Sequence, residues 1–109
     1  MSETAYTVEY YRKESGSAPF HDWLEALRDR AAIARIRIRL NRLRLGNFGT
    51  VKALGGGVVE LKIDYGPGYR VYYAMSGKTV VLLLVGGDKS TQRQDIETAK
   101  GYWKDYQAR

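Results

Sequence analysis

Apolar and polar residues change their spacing several times along the chain, and each spacing predicts a different element. Residues 5–11 are rich in β-branched and aromatic side chains, which favours a first strand. From Pro19 to Asp29 apolar residues recur at steps of three and four, which predicts a helix that Pro19 opens. Residues 31–45 alternate partly like a strand. Their apolar positions also share one helical face, and Gly46 follows as a stop, so we expect a second helix.

The second half of the chain has the spacing of a small sheet. Residues 46–57 are rich in glycine and are interpreted as a linker. Residues 58–65 alternate between apolar and polar, which predicts a strand with one face in the core and one in water. A tight turn at 66–68 returns the chain into a strand over 69–75. The apolar run 79–85 is typical of a central strand that is covered on both sides.

The last segment, residues 90–106, has apolar residues at helical spacing and is predicted to be a helix. The predicted fold class is therefore α+β, with two N-terminal helices packed on a small antiparallel or mixed sheet, a C-terminal helix and the order βααβββα. The length of 109 residues leaves room for one domain, 1–109, without a second independent core.

The composition narrows the possible chemistry. The chain has no cysteine and one histidine, so disulfides and thiolate sites are excluded, and we expect neither a metal nor another cofactor. No apolar run approaches the roughly 20 residues of a membrane helix, and residues 1–4 do not begin a secretion signal. We therefore expect a cytoplasmic protein that does not contact a membrane. The formal net charge of +6 leaves three classes open: a nucleic-acid partner, an acidic protein partner, or no special partner.

Basic residues are concentrated in and just before the second predicted helix. Seven of the eighteen lie there: Arg28, Arg30, Arg35, Arg37, Arg39, Arg42 and Arg44. They form either an ordinary solvated face or a surface that meets RNA phosphates, where binding releases counterions. Ile38 and Leu45 lie outside the main apolar stripe of this helix, and they are candidates for contact with a partner or with another helix.

The predicted hairpin collects charged side chains on one face. If its turn is a three-residue loop, Asp64 faces Arg70 and Lys62 faces Tyr72. The pair of Asp64 and Arg70 could be a purely structural ion pair. The alternative is a phosphodiester site, in which Arg70 clamps the phosphate with its planar guanidinium and Lys62 adds a point charge.

Such a face could cleave RNA without a metal, because the 2′-hydroxyl of RNA is an internal nucleophile. A base takes the hydroxyl proton, cations stabilise the charge on the phosphate, and an acid protonates the departing 5′ oxygen. A lysine among other cations could act as the base, and Tyr72 could orient a group or donate a proton. The candidate catalytic residues are Arg70, Lys62, Lys89 and Tyr72. The candidate RNA-binding residues are Lys52, Arg93, Arg35, Arg39 and Arg42.

Two blocks of sequence resemble a known family of toxins. Residues 66–73, GPGYRVYY, and 86–92, GGDKSTQ, are similar to the HigB-like toxins of the RelE/ParE superfamily, which are related to phage Gp49 proteins. The resemblance extends over nearly the whole chain. It implies the toxin of a type II toxin–antitoxin system that cleaves mRNA on the ribosome. It also implies a cognate helix-turn-helix antitoxin that binds the toxin. The toxin would then be associated with DNA only indirectly, through this antitoxin.

The resemblance also implies site residues. In RelE-type toxins an arginine on the strand after the turn contacts the scissile phosphate, and Arg70 has that position here. Lys62 and Lys89 fall near further basic positions of the family. Several related toxins place a histidine or a terminal tyrosine in the site. Here no histidine lies near it, and the helix after Lys89 offers Asp95 instead of a clear tyrosine counterpart, so the resemblance assigns no general base.

Two other functions stay open on the sequence alone. ParE-like members of the superfamily poison DNA gyrase without cutting RNA, so a non-enzymatic toxin is the alternative function. In that case the basic helices would be the interface with the target. A basic binding module without toxicity is the third possibility.

Overall fold

Five strands and three helices make up the part of the chain that the structure, a computed structural model, describes, which is residues 5–109. Residues 1–4, on which the expectation about secretion partly rested, lie outside it. In chain order the elements are β1 Thr7–Tyr10, α1 Pro19–Ala26, α2 Arg30–Arg44, β2 Val51–Gly55, β3 Val58–Ile63, β4 Tyr69–Ser76, β5 Val80–Gly87, one turn of 3₁₀ helix at Lys89–Thr91, and α3 Gln92–Gln107.

The strands form one mixed sheet in the order β1-β5-β4-β3-β2. β1 pairs with β5 in parallel, and the other neighbouring strands are antiparallel. The predicted α+β class with a mixed sheet is therefore confirmed. The predicted order lacked one strand, because β2 lies within the segment that was interpreted as a linker.

The N-terminal helices cover one face of the sheet. Their buried side chains, Phe20, Leu24, Ile36, Leu40 and Leu43, pack with Leu61, Val71, Tyr73 and Leu83 from the strands. The prediction of a helix over residues 31–45 is confirmed by α2. α1 ends at Ala26, before the predicted Asp29, because the Asp29 side chain instead caps α2 by accepting a hydrogen bond from the Ala32 amide at 3.1 Å.

α3 covers the opposite face, where Ala99 packs with Tyr72, Leu82 and Leu84. The sheet is therefore buried on both sides. The expectation that the polar face of residues 58–65 lies in water is wrong for Glu60, which is buried beneath α3.

The C-terminal end of β5 lies in direct contact with helices on both sides. A Cβ atom on Gly86 would overlap the Trp23 indole of α1, and one on Gly87 would overlap the Asp95 carboxylate of α3. These two glycines are therefore required by close packing. None of the helices found within residues 5–109 has the length and apolar character to cross a membrane.

Candidate functional site

The β3–β4 hairpin determines which side chains meet. Its register pairs Lys62 with Arg70 and Glu60 with Tyr72. The predicted pairs, Asp64 with Arg70 and Lys62 with Tyr72, are both wrong. The reason is the length of the connection: β3 ends at Ile63 and β4 begins at Tyr69, so five residues link the strands and Asp64 belongs to the turn.

The Arg70 guanidinium is contacted by groups from β3 and from the turn, and α3 supports it indirectly through Glu60. Its Nε lies 3.4 Å from Glu60 Oε2 on β3, and its Nη1 donates a hydrogen bond to the Gly68 carbonyl of the turn at 2.8 Å. Gln92 Nε2 at the start of α3 donates to Glu60 Oε1 at 3.2 Å. Arg70 and Glu60 are each only 6% exposed. This buried ion pair fixes the guanidinium in one orientation.

Glu60 and Gln92 are parts of this arrangement that the sequence analysis missed. Glu60 was expected to lie in water because it alternates with apolar residues on β3. The sequence did contain a sign that Glu60 is buried. The continuous apolar run of β5 indicates a strand that is covered on both faces, so the second face of the sheet must also be covered. A covered second face makes Glu60 a buried carboxylate that needs a cationic partner.

Three of the four candidate catalytic residues line one cleft. Arg70, Lys62 and Lys89 surround a volume of about 410 Å³ that the turn residues 65–68 close at one side. Lys62 and Lys89 are exposed, whereas Arg70 forms part of the cleft wall. Two exposed ammonium groups and one guanidinium paired with Glu60 are a suitable set of donors for a phosphate.

Lys89 is positioned by the residue before it. The Asp88 carboxylate accepts hydrogen bonds from the Ser90 amide at 2.8 Å and from the Ser90 hydroxyl. These bonds, with a contribution from the Arg70 charge, lower the pKa of Asp88. The 3₁₀ turn that carries Lys89 is therefore capped by an ionised carboxylate.

Tyr72, the fourth candidate, does not line the cleft. Its side chain is fully buried between the sheet and α3, and its hydroxyl has no hydrogen-bond partner among the described residues. Burial, and then the nearby Glu60 and Asp95 carboxylates, raise the pKa of Tyr72 well above its ordinary value. In this position the phenol cannot contact a substrate in the cleft.

Two further depressions continue from the cleft towards α2. The first, of about 350 Å³, shares Lys62 and Asp64 with the cleft and is also lined by Arg39, Arg42, Asn47 and Thr50. The second, of about 240 Å³, shares Arg39, Arg42 and Asp64 and adds Arg35 and Ile38. We call the whole surface the basic groove; its charged residues are Arg35, Arg39, Arg42, Lys62, Asp64, Arg70 and Lys89.

Arg39 also has a structural task in the groove. It donates hydrogen bonds to the backbone carbonyls of Lys62 at 2.9 Å and of Phe48 at 3.5 Å. Partial burial, and then the neighbouring Arg42, lower its pKa. Arg39 therefore attaches α2 to the end of β3, beyond the point where β2 pairs.

The remaining predicted residues lie elsewhere. Lys52 is exposed on β2 opposite Glu60, and Arg93 is exposed on the first turn of α3; neither lines the basic groove. Ile38 and Leu45, expected at a contact surface, are 49% and 67% exposed. Within residues 5–109, histidine and carboxylate side chains form no cluster of three or more that could hold a metal ion.

Comparison with known proteins gives the family. Residues 22–104 match the family described as "Phage derived protein Gp49-like (DUF891)". The chain belongs to the Gp49-like family. An uncharacterized protein of Haemophilus influenzae is 49% identical to this Gp49-like protein over 81 residues, which cover 74% of this chain and 82% of that protein. The family match includes every residue of the basic groove.

Proposed function

We propose that this Gp49-like protein is the toxin of a type II toxin–antitoxin system and that it cleaves mRNA on the ribosome, in the cytoplasm. One arrangement carries the proposal: Arg70, held from behind by Glu60 and the Gly68 carbonyl, shares a cleft with Lys62 and Lys89. The resemblance to RelE-type toxins, in which an arginine at this place contacts the scissile phosphate, supports it.

The chemistry follows from these groups. The guanidinium of Arg70 binds the phosphate and stabilises the negative charge that grows on its oxygens. The RNA 2′ oxygen gives its proton to a water molecule and forms a bond to phosphorus, while the bond from phosphorus to the 5′ oxygen breaks. The ammonium groups of Lys62 and Lys89 stabilise the same charge, and one of them protonates the 5′ oxygen as it leaves. The lysine that protonates the 5′ oxygen afterwards regains a proton from water. Among these cations, Arg70 contributes most to stabilising the transition state. Its guanidinium is already oriented before the reaction, so no conformational entropy is lost at that step.

The proposal includes two macromolecular partners. mRNA on the ribosome is the substrate, and the positive groove is complementary to its phosphates. A helix-turn-helix antitoxin, encoded beside the toxin, neutralises it and connects it with DNA only indirectly.

The test compares two substitutions after induction in a bacterial host. Arg70→Lys keeps the charge that Glu60 requires but loses the planar guanidinium, so we expect growth to continue. Lys78→Ala removes an exposed cation from the turn between β4 and β5, at the opposite end of the sheet, so we expect growth arrest as in the parent. Transcript 5′ ends should cluster inside translated codons for the parent and for Lys78→Ala only.

Thermal unfolding of both purified variants serves as the control for folding. Undiminished toxicity of Arg70→Lys would disprove the assignment of the cleft. DNA damage without new transcript ends would instead favour the ParE-like alternative, and harmless expression of the parent would reject a toxin altogether.

A further inference from the structure

One carboxylate, Asp64, lines all three depressions of the basic groove. Its side chain is 85% exposed, and its Oδ1 lies 3.3 Å from Lys62 Nζ. A carboxylate repels phosphate, so in the middle of a phosphate-binding groove it opposes the six cations around it. Its central position therefore favours a different ligand group, one that donates hydrogen bonds.

We infer that Asp64 reads a base of the bound RNA and selects guanine in the nucleotide next to the phosphate at Arg70. The inference rests on the proposed function and adds a specificity-determining residue to it. Single-stranded RNA exposes the Watson–Crick edges of its bases, and proteins that recognise its sequence bind those edges.

The choice of guanine follows from the pattern of donors. Guanine presents two adjacent donors, N1–H and the N2 amino group, which match the two acceptor oxygens of an ionised carboxylate. Adenine and cytosine place a ring acceptor beside their amino group, and uracil places its single N–H between two carbonyls. Each of these three bases would therefore bring a lone pair against one oxygen of Asp64.

The position of Asp64 fits a base between two phosphates. It directly follows β3, and it lines both the cleft that contains Arg70 and the depression lined by Arg42, Asn47 and Thr50. That depression, of about 350 Å³, lies within the range of small-ligand pockets. A strand with one phosphate at Arg70 and the next near Arg42 would pass its base over Asp64.

The ion pair with Lys62 links base recognition to the cleft. In the free protein Asp64 holds the Lys62 ammonium at 3.3 Å. A guanine that occupies the carboxylate competes with Lys62 and releases its ammonium to the phosphate. Binding of guanine at Asp64 therefore increases the positive charge that the cleft presents to the phosphate.

The test uses uncleavable RNA, so that binding is measured apart from catalysis. The probes are 2′-O-methyl hexanucleotides of uridine, either unaltered or with one internal guanosine, adenosine or cytidine, in a fluorescence anisotropy assay at low salt. We expect the parent to bind the guanosine probe about tenfold more tightly than the others, as a bidentate base contact does.

The substitution Asp64→Asn should abolish the preference. An amide offers one acceptor and one donor, which an edge of each of the four bases can match, so the guanosine probe should lose its advantage over the others. Asp22→Asn, an exposed carboxylate on α1, is the matched control and should leave the guanosine preference unchanged.

Equal binding of the four probes by the parent, no binding of any of them, or an unchanged preference in Asp64→Asn would overturn the inference. Failure of the proposed function has a different signature. It would appear in the growth assay as toxicity that persists in Arg70→Lys. In the binding assay, the same variant should bind all four probes more weakly than the parent and still prefer guanosine.

Discussion

At the level of single residues, the buried pair of Glu60 and Arg70 combines a structural task with the chemical one that we propose for Arg70. Each side chain neutralises the other at a position where both are only 6% exposed, and Gln92 donates a hydrogen bond to the remaining oxygen of the carboxylate. The pair itself adds little net stability over an apolar contact, but either charge alone is costly to bury. The guanidinium is therefore available to a phosphate only because Glu60 is present.

Glu60→Ala is expected to destabilise the fold by about 3–5 kcal/mol, because it leaves the Arg70 charge buried without a partner. Urea unfolding followed by circular dichroism would measure the loss. Glu97→Ala, on the exposed face of α3, is the control and should change the free energy of unfolding by less than about 0.5 kcal/mol. A small effect of Glu60→Ala would mean that Arg70 leaves the interior easily.

Two glycines should respond in opposite directions to the same added methyl group. Gly86→Ala is expected to destabilise by about 1–3 kcal/mol, because the new Cβ overlaps the Trp23 indole. Gly101→Ala lies within α3 with no atom near the new Cβ and should stabilise by about 0.5–1 kcal/mol. Thermal unfolding of the two variants tests whether Trp23 of α1 packs against Gly86. Equal changes in the melting temperature would contradict this packing.

Among the elements, β2 shows where a sequence pattern stops being informative. Residues 51–55 lie at the edge of the sheet, and most of their side chains are exposed, so apolar alternation is absent. The strand exists because Val51 and Lys52 find partners in Leu61 and Glu60 on β3. Pairing of this kind is a tertiary effect, which spacing along the chain does not encode.

The hairpin shows why the candidate cleft could be found despite a wrong register. The observed pairing differs from the predicted one by two positions, and a shift of two leaves every side chain on its original face. Lys62 and Arg70 were therefore placed together correctly. Their partners were not, because the length of the turn and the covering of this face by α3 are not visible in the alternation of β3.

The start of α3 should make stability depend on pH through Asp95. This carboxylate accepts a hydrogen bond from the Thr91 hydroxyl at 2.6 Å, but burial raises its pKa above the ordinary value. The folded state then holds the proton more tightly than the unfolded state does. The free energy of unfolding therefore falls as pH rises from the ordinary pKa through the raised one, and it stays lower at neutral pH.

Asp95→Asn keeps an oxygen for Thr91 and removes the charge, so we expect higher stability than the parent at pH 7. The difference should disappear below about pH 3, where the parent is protonated in both states. Chemical unfolding at the two pH values measures it. A variant that is less stable at pH 7 would show that the ionised carboxylate is favoured by its surroundings.

Over the whole molecule, the two helical layers leave the basic groove as an extended surface of one predominant charge. Six cations line it: Arg35, Arg39, Arg42, Lys62, Arg70 and Lys89. If all six neutralise phosphates of a single strand, the logarithm of the binding constant should fall with the logarithm of salt concentration at a slope of about −4.

Arg42→Ala should reduce the magnitude of this slope by about 0.7, because one counterion contact is lost. Lys78→Ala lies outside the groove and should leave the slope unchanged. Titrations of a uridine oligonucleotide at several salt concentrations provide the measurement. Equal slopes for the parent and Arg42→Ala would remove this arginine from the RNA path.

The parallel pairing of β1 with β5 has a consequence for the way the molecule is made. Thr7 pairs with Val80 and Tyr10 with Leu83. β1 is synthesised first but can pair only with β5, which is synthesised last among the strands. Contacts between such distant positions form slowly. During translation the antiparallel strands can assemble first, while the N-terminal strand stays unpaired. A nascent chain that lacks β5 can therefore complete neither its sheet nor, without Lys89, its cleft.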